Sequence, residues 1–158
     1  MPSGITQIFQ SKLTDVDTIQ RDILGVIRQE GNKWYKYVAF KNTTATVAGA
    51  AGTLVAYNAA TGYLNNVVVA DFTDADAIVI PAGVTLATVT GTAGTTYYCW
   101  VQIKGLTTLD TSISSAAVGK GFYVTTTDRT AAVGAAYYDY IAGICTDGTT
   151  GAILTCPF

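Results

Sequence analysis

Residues 94–105, GTTYYCWVQIKG, limit what this chain can fold into more than any other part of the sequence. Their side chains alternate between a mostly apolar row, Tyr97, Cys99, Val101 and Ile103, and a second row, Tyr98, Trp100, Gln102 and Lys104. A period of two with many aromatic and β-branched residues predicts a strand. The first row suits a core, and the large rings of the second row seldom lie fully bare. We therefore expect a central strand covered on both faces, with Trp100 packed against another subunit or under a neighbouring loop.

The composition predicts an all-β fold. Among 158 residues there are 26 Thr and 16 Gly, but one Glu and one Met, which are strong helix formers. Thr, Val and Tyr favour pleated surfaces, and Gly favours turns. Turn signals at spacings of roughly 8 to 12 residues separate about ten short strands, which is typical of an antiparallel β-sandwich or a small β-barrel. We expect a single β-domain over residues 23–158, preceded by an N-terminal arm over residues 1–22.

A hairpin is predicted from residues 24–29 and 33–40, because Gly31 and Asn32 in the loop between them tolerate positive φ. Neither face of the second strand is cleanly apolar, so it is expected at an edge or an interface, where Lys36 would discourage aggregation. Pro81-Ala82-Gly83 reads as a turn and residues 111–121 as a loop. Further strands are predicted at 53–57, 67–69, 84–89, 122–127, 137–145, where Gly143 indicates a bulge, and 152–158.

The charge pattern argues against binding to nucleic acid or to a membrane. The net charge is -2, only 13% of the residues are charged, and the nine basic residues are scattered along the chain. A nucleic-acid site would need clustered Lys and Arg. No apolar run reaches the roughly 18 to 20 residues that span a bilayer. The N-terminal residues lack a basic region followed by an apolar core, so we expect synthesis without a signal peptide, in a cytoplasm.

The residue types that carry most catalysis are missing, so an enzyme is not expected. The chain has no His, which is the commonest general base and a frequent metal ligand. It has no GxSxG, Walker or GxGxxG motif. Cys99 and Cys145 fall in apolar strands, where a thiolate is disfavoured. We therefore predict no catalytic residue and no cofactor.

Two small groups of residues leave alternatives open. Cys99, Cys145 and Cys156 are expected to be free buried thiols, although a Cys145–Cys156 bridge would be conceivable if the last two strands pair. The carboxylates Asp71, Asp74 and Asp76 lack the central Gly and closing Glu of a calcium loop. They are read as solvated turn residues rather than a metal site.

The N-terminal arm is the first candidate for contact with a partner. Its apolar residues at spacings of three and four favour a short helix, but β-branched residues and Asp weaken it, so an extended arm is equally expected. The arm either docks on a partner or is a frayed terminus. Stacking on sugars is the less favoured use of the aromatic side chains further along. The candidate partner-contact residues are Ile5, Ile8, Phe9, Leu13, Trp34, Tyr98 and Trp100.

Four segments resemble the capsid decoration (cement, or head-auxiliary) proteins of tailed bacteriophages. They are LGVIRQEGNKWYKYV (24–38), AAGTLVAY (50–57), PAGVTLATVTGTAGTTYYCWVQIKG (81–105) and AAVGKGFYV (116–124). The resemblance implies a β-domain bound to the outside of a virion capsid, with the major capsid protein as its partner. It also implies assembly in the host cytoplasm, often as homotrimers, and no catalysis. The alternative is a host-recognition or carbohydrate-binding β-module of a tail fibre or surface appendage.

Overall fold

The computed structural model describes residues 8–58, 66–72, 79–134 and 141–156. Within these ranges, no helix is long and apolar enough to cross a membrane. The described residues form twelve strands: β1 (Val16–Asp17), β2 (Ile27–Glu30), β3 (Lys33–Phe40), β4 (Leu54–Tyr57), β5 (Val67–Val69), β6 (Pro81–Thr85), β7 (Tyr97–Thr108), β8 (Ile113–Ser114), β9 (Gly121–Val124), β10 (Ala131–Val133), β11 (Ile141–Cys145) and β12 (Gly151–Thr155). The predicted all-β fold is confirmed.

Five strands close into a barrel. They are hydrogen-bonded in the order β3, β5, β4, β6 and β7, and β7 pairs again with β3 to complete the ring. The pairing of β3 with β5 is parallel, and the other four pairings of the ring are antiparallel. The barrel alternative of the predicted fold class is therefore the one that forms.

Strand β7 is shared between the barrel and an outer sheet. Its first half pairs with β3 and β6, and its second half pairs with β12. Beyond β12 the outer sheet continues through β11, β9, β10 and β8. At Gly105 the backbone has φ +99°, and a Cβ there would lie 2.8 Å from the carbonyl oxygen of Asn32. Glycine at this point therefore lets the strand pass close to the β2–β3 turn as it enters the outer sheet.

The buried side chains form two clusters. The larger one is the main core, which includes Val38 and Phe40 of β3 and Val101 and Ile103 of β7. The smaller one, the outer aromatic cluster, consists of Tyr35, Tyr37 and Trp100. Because Tyr35 and Tyr37 alternate with core residues along β3, this cluster lies on the outside of the barrel.

The prediction of a turn at Pro81-Ala82-Gly83 was wrong, because these residues begin β6. Proline is tolerated as the first residue of a strand, where no ladder hydrogen bond from its nitrogen is needed. A Cβ at Gly83 would lie 2.7 Å from the carbonyl oxygen of Gln102, so glycine allows β6 and β7 to approach closely. Strand β6 ends at Thr85, so only residues 84 and 85 of the strand predicted at 84–89 belong to it. Val89 forms an isolated bridge with Gly49.

Most other predicted strands are confirmed. The hairpin forms from β2 and β3 with Gly31 at φ +60°. The predicted bulge at Gly143 is present as a register shift between β11 and β9. Strand β8 interrupts the predicted loop 111–121, and β10 was not predicted. Of the strand predicted at 137–145, residues 135–140 lie outside the described part of the chain, and 141–145 form β11.

The three cysteines are free and buried, as predicted. Strands β11 and β12 do pair, but Cys145 lies opposite Ala152 rather than Cys156. Burial raises the pKa of Cys99 and of Cys156 to about 12, so both remain thiols at neutral pH.

The sequence placed Lys36 on a strand at an edge or an interface. In the structure its side chain is buried instead. It is only 4% exposed and lies on the barrel side of β3, opposite Val101 of β7. Its Nζ donates a hydrogen bond to Oη of Tyr57 at 3.0 Å and lies 5.0 Å from the centre of that ring. Burial lowers the pKa of Lys36 and raises the pKa of Tyr57.

Lys36→Met is expected to raise the free energy of unfolding at pH 7 by about 1 kcal/mol, because methionine fills similar space without a buried charge. The folded-state pKa of Lys36 lies below its ordinary value of 10.5. The unfolded chain therefore binds that proton more tightly, and the cost of burying the charged ammonium is fully present below the folded-state pKa. This cost disappears as the pH rises toward 10.5, so the stability advantage of the variant over the wild type should shrink over that range. Urea unfolding between pH 7 and pH 10, with exposed Lys120→Met as control, measures this; a pH-independent difference would contradict it.

Candidate protein-binding surfaces

The described part of the N-terminal segment, residues 8–23, lies across the outer aromatic cluster. Its strand β1 pairs with β7, placing Val16 opposite Cys99 and Asp17 opposite Tyr98. Phe9 and Leu13 pack against the cluster. The short helix, one of the two forms expected for this segment, is not present. Nor is the segment a simple extended arm: apart from β1 it is irregular, and it turns back so that Asp22 bonds residues 10 and 11 while β1 pairs with the barrel.

Trp100 is fully buried by this segment. Its Nε1 donates to Oγ of Ser11 at 2.9 Å. The ring of Phe9 meets it edge-on at a centroid distance of 5.2 Å, and the ring of Tyr37 lies at the same distance. Of the two covers expected over Trp100, the structure has a segment of the same chain rather than another subunit. Trp100 can contact a partner directly only if this segment moves away.

Asp22 fixes the path of the segment. Its carboxylate accepts hydrogen bonds from the backbone N–H of Gln10 at 3.0 Å and of Ser11 at 3.1 Å, and from the Ser11 hydroxyl. Partial burial opposes ionisation of this carboxyl, but the hydrogen bonds from Ser11 and Gln10 outweigh it and lower the pKa of Asp22. The backbone N–H of Arg21 donates to Oη of Tyr37 at 3.2 Å. The two ends of the segment are thus tied to each other and to the barrel.

Three isoleucines of this anchored segment point into solvent. Ile8, Ile19 and Ile23 are 85%, 74% and 77% exposed. The bond between Gln10 and Asp22 draws the stretches that carry Ile8 and Ile23 toward each other. We name these three residues the isoleucine surface. Ile8 was predicted as a contact residue, and Ile5, predicted with it, lies outside the described residues.

The remaining predicted contact residues serve mainly to pack the chain. Tyr98 is half-buried against the outer aromatic cluster, as are Phe9 and Leu13. Trp34 is half-buried against the main core, and Nζ of Lys104 lies 5.3 Å from the centre of its ring. The structure therefore gathers four of the seven predicted residues, Phe9, Leu13, Tyr98 and Trp100, around one cluster.

A second apolar surface lies on the outer sheet and was not predicted. Leu106 of β7 is opposite Ile153 of β12, which is opposite Ile144 of β11. Ile141 lies on the same face, since its side chain is 3.6 Å from the place where a Cβ of Gly121 would lie. These four side chains, between 42% and 60% exposed, form what we name the aliphatic row. The alternation of β12 could have indicated it, but only with the strand pairing known.

A cleft of about 370 Å³ adjoins the aliphatic row. Leu106 belongs to both, and Lys33 and Gln102 also line the cleft. The side-chain amide of Gln102 donates to the backbone oxygens of Lys104, Gly105 and Leu106. These bonds hold the backbone around Gly105, where β7 enters the outer sheet, next to the cleft.

No group of three or more potential metal ligands comes together among the residues that the structure describes. Asp71 is buried and accepts a hydrogen bond from the backbone N–H of Ala45 at 2.9 Å. It is therefore not the solvated turn residue that the sequence suggested. Asp74 and Asp76 of the same predicted group lie outside the described ranges.

Comparison with known proteins finds no matching family, no matching curated protein and no matching solved structure. The likeness to phage decoration proteins therefore stays a prediction.

Proposed function

We propose that this chain is a structural virion protein that binds the outer surface of a tailed-phage capsid and stabilises it. Its partner is the major capsid protein, and it performs no reaction. The proposal combines the sequence resemblance with a compact β-barrel that displays exposed apolar side chains. Its location would be the capsid exterior, after assembly in the host cytoplasm. The homotrimer that the resemblance implies concerns the protein bound to the capsid; it stays a prediction and is separate from the assembly of the isolated protein.

The observation that carries the proposal is the isoleucine surface. Three isoleucines exposed by more than 70% stand on a segment that is itself held by Asp22, Ser11 and Trp100. An exposed apolar group on an ordered backbone binds without a large loss of conformational entropy. Burying each isoleucine fully contributes roughly 1.5–3 kcal/mol. Repeated over a symmetric capsid, such modest contacts add up to firm attachment.

The test uses heads of the phage that encodes the chain, stripped of this protein and then incubated with it. We expect the purified protein to co-sediment saturably with the heads and to raise the temperature at which they rupture. The triple variant Ile8→Ser, Ile19→Ser, Ile23→Ser should lose most of this binding while keeping its melting temperature. Val118→Ser is the matched control, because Val118 is 71% exposed and lies in another part of the chain.

Two outcomes would contradict the proposal at different levels. Failure of the wild-type protein to sediment with heads would remove the capsid function. Binding of the triple variant at wild-type level would leave the function but remove the isoleucine surface as its site. Binding of the isolated protein to host cells or glycans, with none to heads, would instead favour the host-recognition alternative.

A further inference from the structure

We propose that the aliphatic row is the contact between two copies of this chain, related by a two-fold axis that runs across the strands. This inference is independent of the capsid function. It concerns the outer sheet, whereas the isoleucine surface belongs to the N-terminal segment. Exposed contiguous apolar patches on otherwise polar surfaces are typical of protein–protein contacts.

The row has the form that a self-complementary contact needs. Leu106, Ile153 and Ile144 are direct cross-strand neighbours, so they form a line perpendicular to β7, β12 and β11. Gly121, opposite Ile144, and Gly151, two residues before Ile153, have no side chain, so nothing projects beside the row at these two positions. A two-fold rotation about an axis parallel to this line places the row of one copy on the row of the other. Such a contact is isologous and closed, so it stops at a dimer.

The two ends of this face carry opposite charges. Lys104 is exposed and lies opposite Thr155, two residues before Leu106. Beyond the other side of the row, the carboxylate of Asp147 lies over Gly151, where a Cβ would be 2.6 Å from Oδ2. Its Oδ1 accepts hydrogen bonds from the backbone N–H of Gly151 at 2.9 Å and of Thr149 at 2.7 Å. These bonds fix the carboxylate in place and lower the pKa of Asp147, which keeps it ionised at neutral pH.

The charges select one orientation of the second copy. An axis along the strands would set Lys104 against Lys104 and Asp147 against Asp147. An axis across the strands reverses the strand direction and sets Lys104 of each copy near Asp147 of the other. The favourable pairing occurs twice, on either side of a central apolar contact, so charge complementarity identifies a second copy as the occupant.

The first experiment measures the mass of the full-length protein by sedimentation velocity at micromolar concentrations. We expect a dimer for the wild-type protein and a monomer for Ile153→Lys, which places a charge at the centre of the row. Ile19→Lys puts the same charge on an exposed isoleucine of the N-terminal segment, far from the outer sheet, and should remain dimeric. A wild-type monomer, a wild-type trimer, or a dimer unaffected by Ile153→Lys would overturn the proposal.

The second experiment tests the orientation. Lys104→Glu and Asp147→Lys should each weaken the dimer by about tenfold, because two attractive pairs become repulsive. An equimolar mixture of the two variants should restore wild-type affinity, because both pairs of the mixed dimer are attractive. Restoration cannot come from a change within one chain. Lys12→Glu, on the exposed N-terminal segment, is the control for a charge reversal away from the outer sheet. An unrestored mixture would overturn the proposed axis.

Discussion

Trp100→Ala is expected to lower the free energy of unfolding by about 3–5 kcal/mol, the range for removing a large buried aromatic side chain. Trp100 is fully buried and makes contacts to both the barrel and the N-terminal segment. Its loss leaves a cavity under Phe9 and Tyr37 and removes the hydrogen bond from Nε1 to Ser11. Equilibrium unfolding in urea measures the change.

The same series separates packing from the hydrogen bond. Trp100→Phe keeps a ring against Phe9 but cannot donate to Ser11, and should cost clearly less than alanine. Ser11→Ala removes the acceptor and one bond to Asp22, and should cost about 1–2 kcal/mol. In Trp100→Ala, proteolysis within residues 8–23 should also become faster, because the segment loses its anchor. Equal stability of Trp100→Ala and the wild type would show that the N-terminal segment does not cover the barrel in solution.

Asn42→Asp is expected to destabilise the protein by about 3 kcal/mol, although the two side chains have the same shape. Asn42 is fully buried in the chain between β3 and β4. Its Nδ2 donates to the backbone oxygens of Val47 and Gly91, and its Oδ1 accepts from the N–H groups of Ala70 and Asp71. Aspartate removes both donors and points an ionised oxygen at two carbonyl groups.

The pH dependence of this variant follows from the same geometry. A buried carboxyl that faces carbonyl oxygens has a raised pKa in the folded state, so the folded chain binds the proton more tightly. The loss of stability should therefore be complete at neutral pH and should shrink as the pH falls toward about 4, the ordinary pKa of Asp. Asn32→Asp in the exposed β2–β3 turn is the control. A variant as stable as the wild type at pH 7 would contradict the hydrogen-bond assignment.

The strands could be predicted because alternation and turn residues are local signals. Residues 94–105 predicted the centre of β7, and Gly31 predicted the turn between β2 and β3. Local signals do not reveal which strands pair. The parallel pairing of β3 with β5 and the closure of β3 on β7 depend on contacts between distant segments, so the barrel could not be distinguished from a sandwich.

The candidate surfaces were predicted only in part, for the same reason. An exposed Ile8 was expected, but the burial of Trp100 under residues 8–23 depends on hydrogen bonds to Ser11 and Asp22 that no spacing reveals. The side chain of Asn42 joins three loops, which no local pattern of the sequence indicates. The aliphatic row emerges only when β7, β12 and β11 are placed side by side.

The position of β7 in the chain has a consequence for synthesis on the ribosome. The first four strands of the ring are complete by Thr85, but their edges stay open until residues 97–108 have left the exit tunnel. A nascent chain at that stage exposes unpaired backbone groups of β3 and β6 and the core side chains that β7 later covers. Once β7 emerges, it seals the ring and offers a free edge on which the last strands assemble. The rate of chain elongation between the emergence of Thr85 and that of Thr108 therefore determines how long the nascent chain stays open to misassembly.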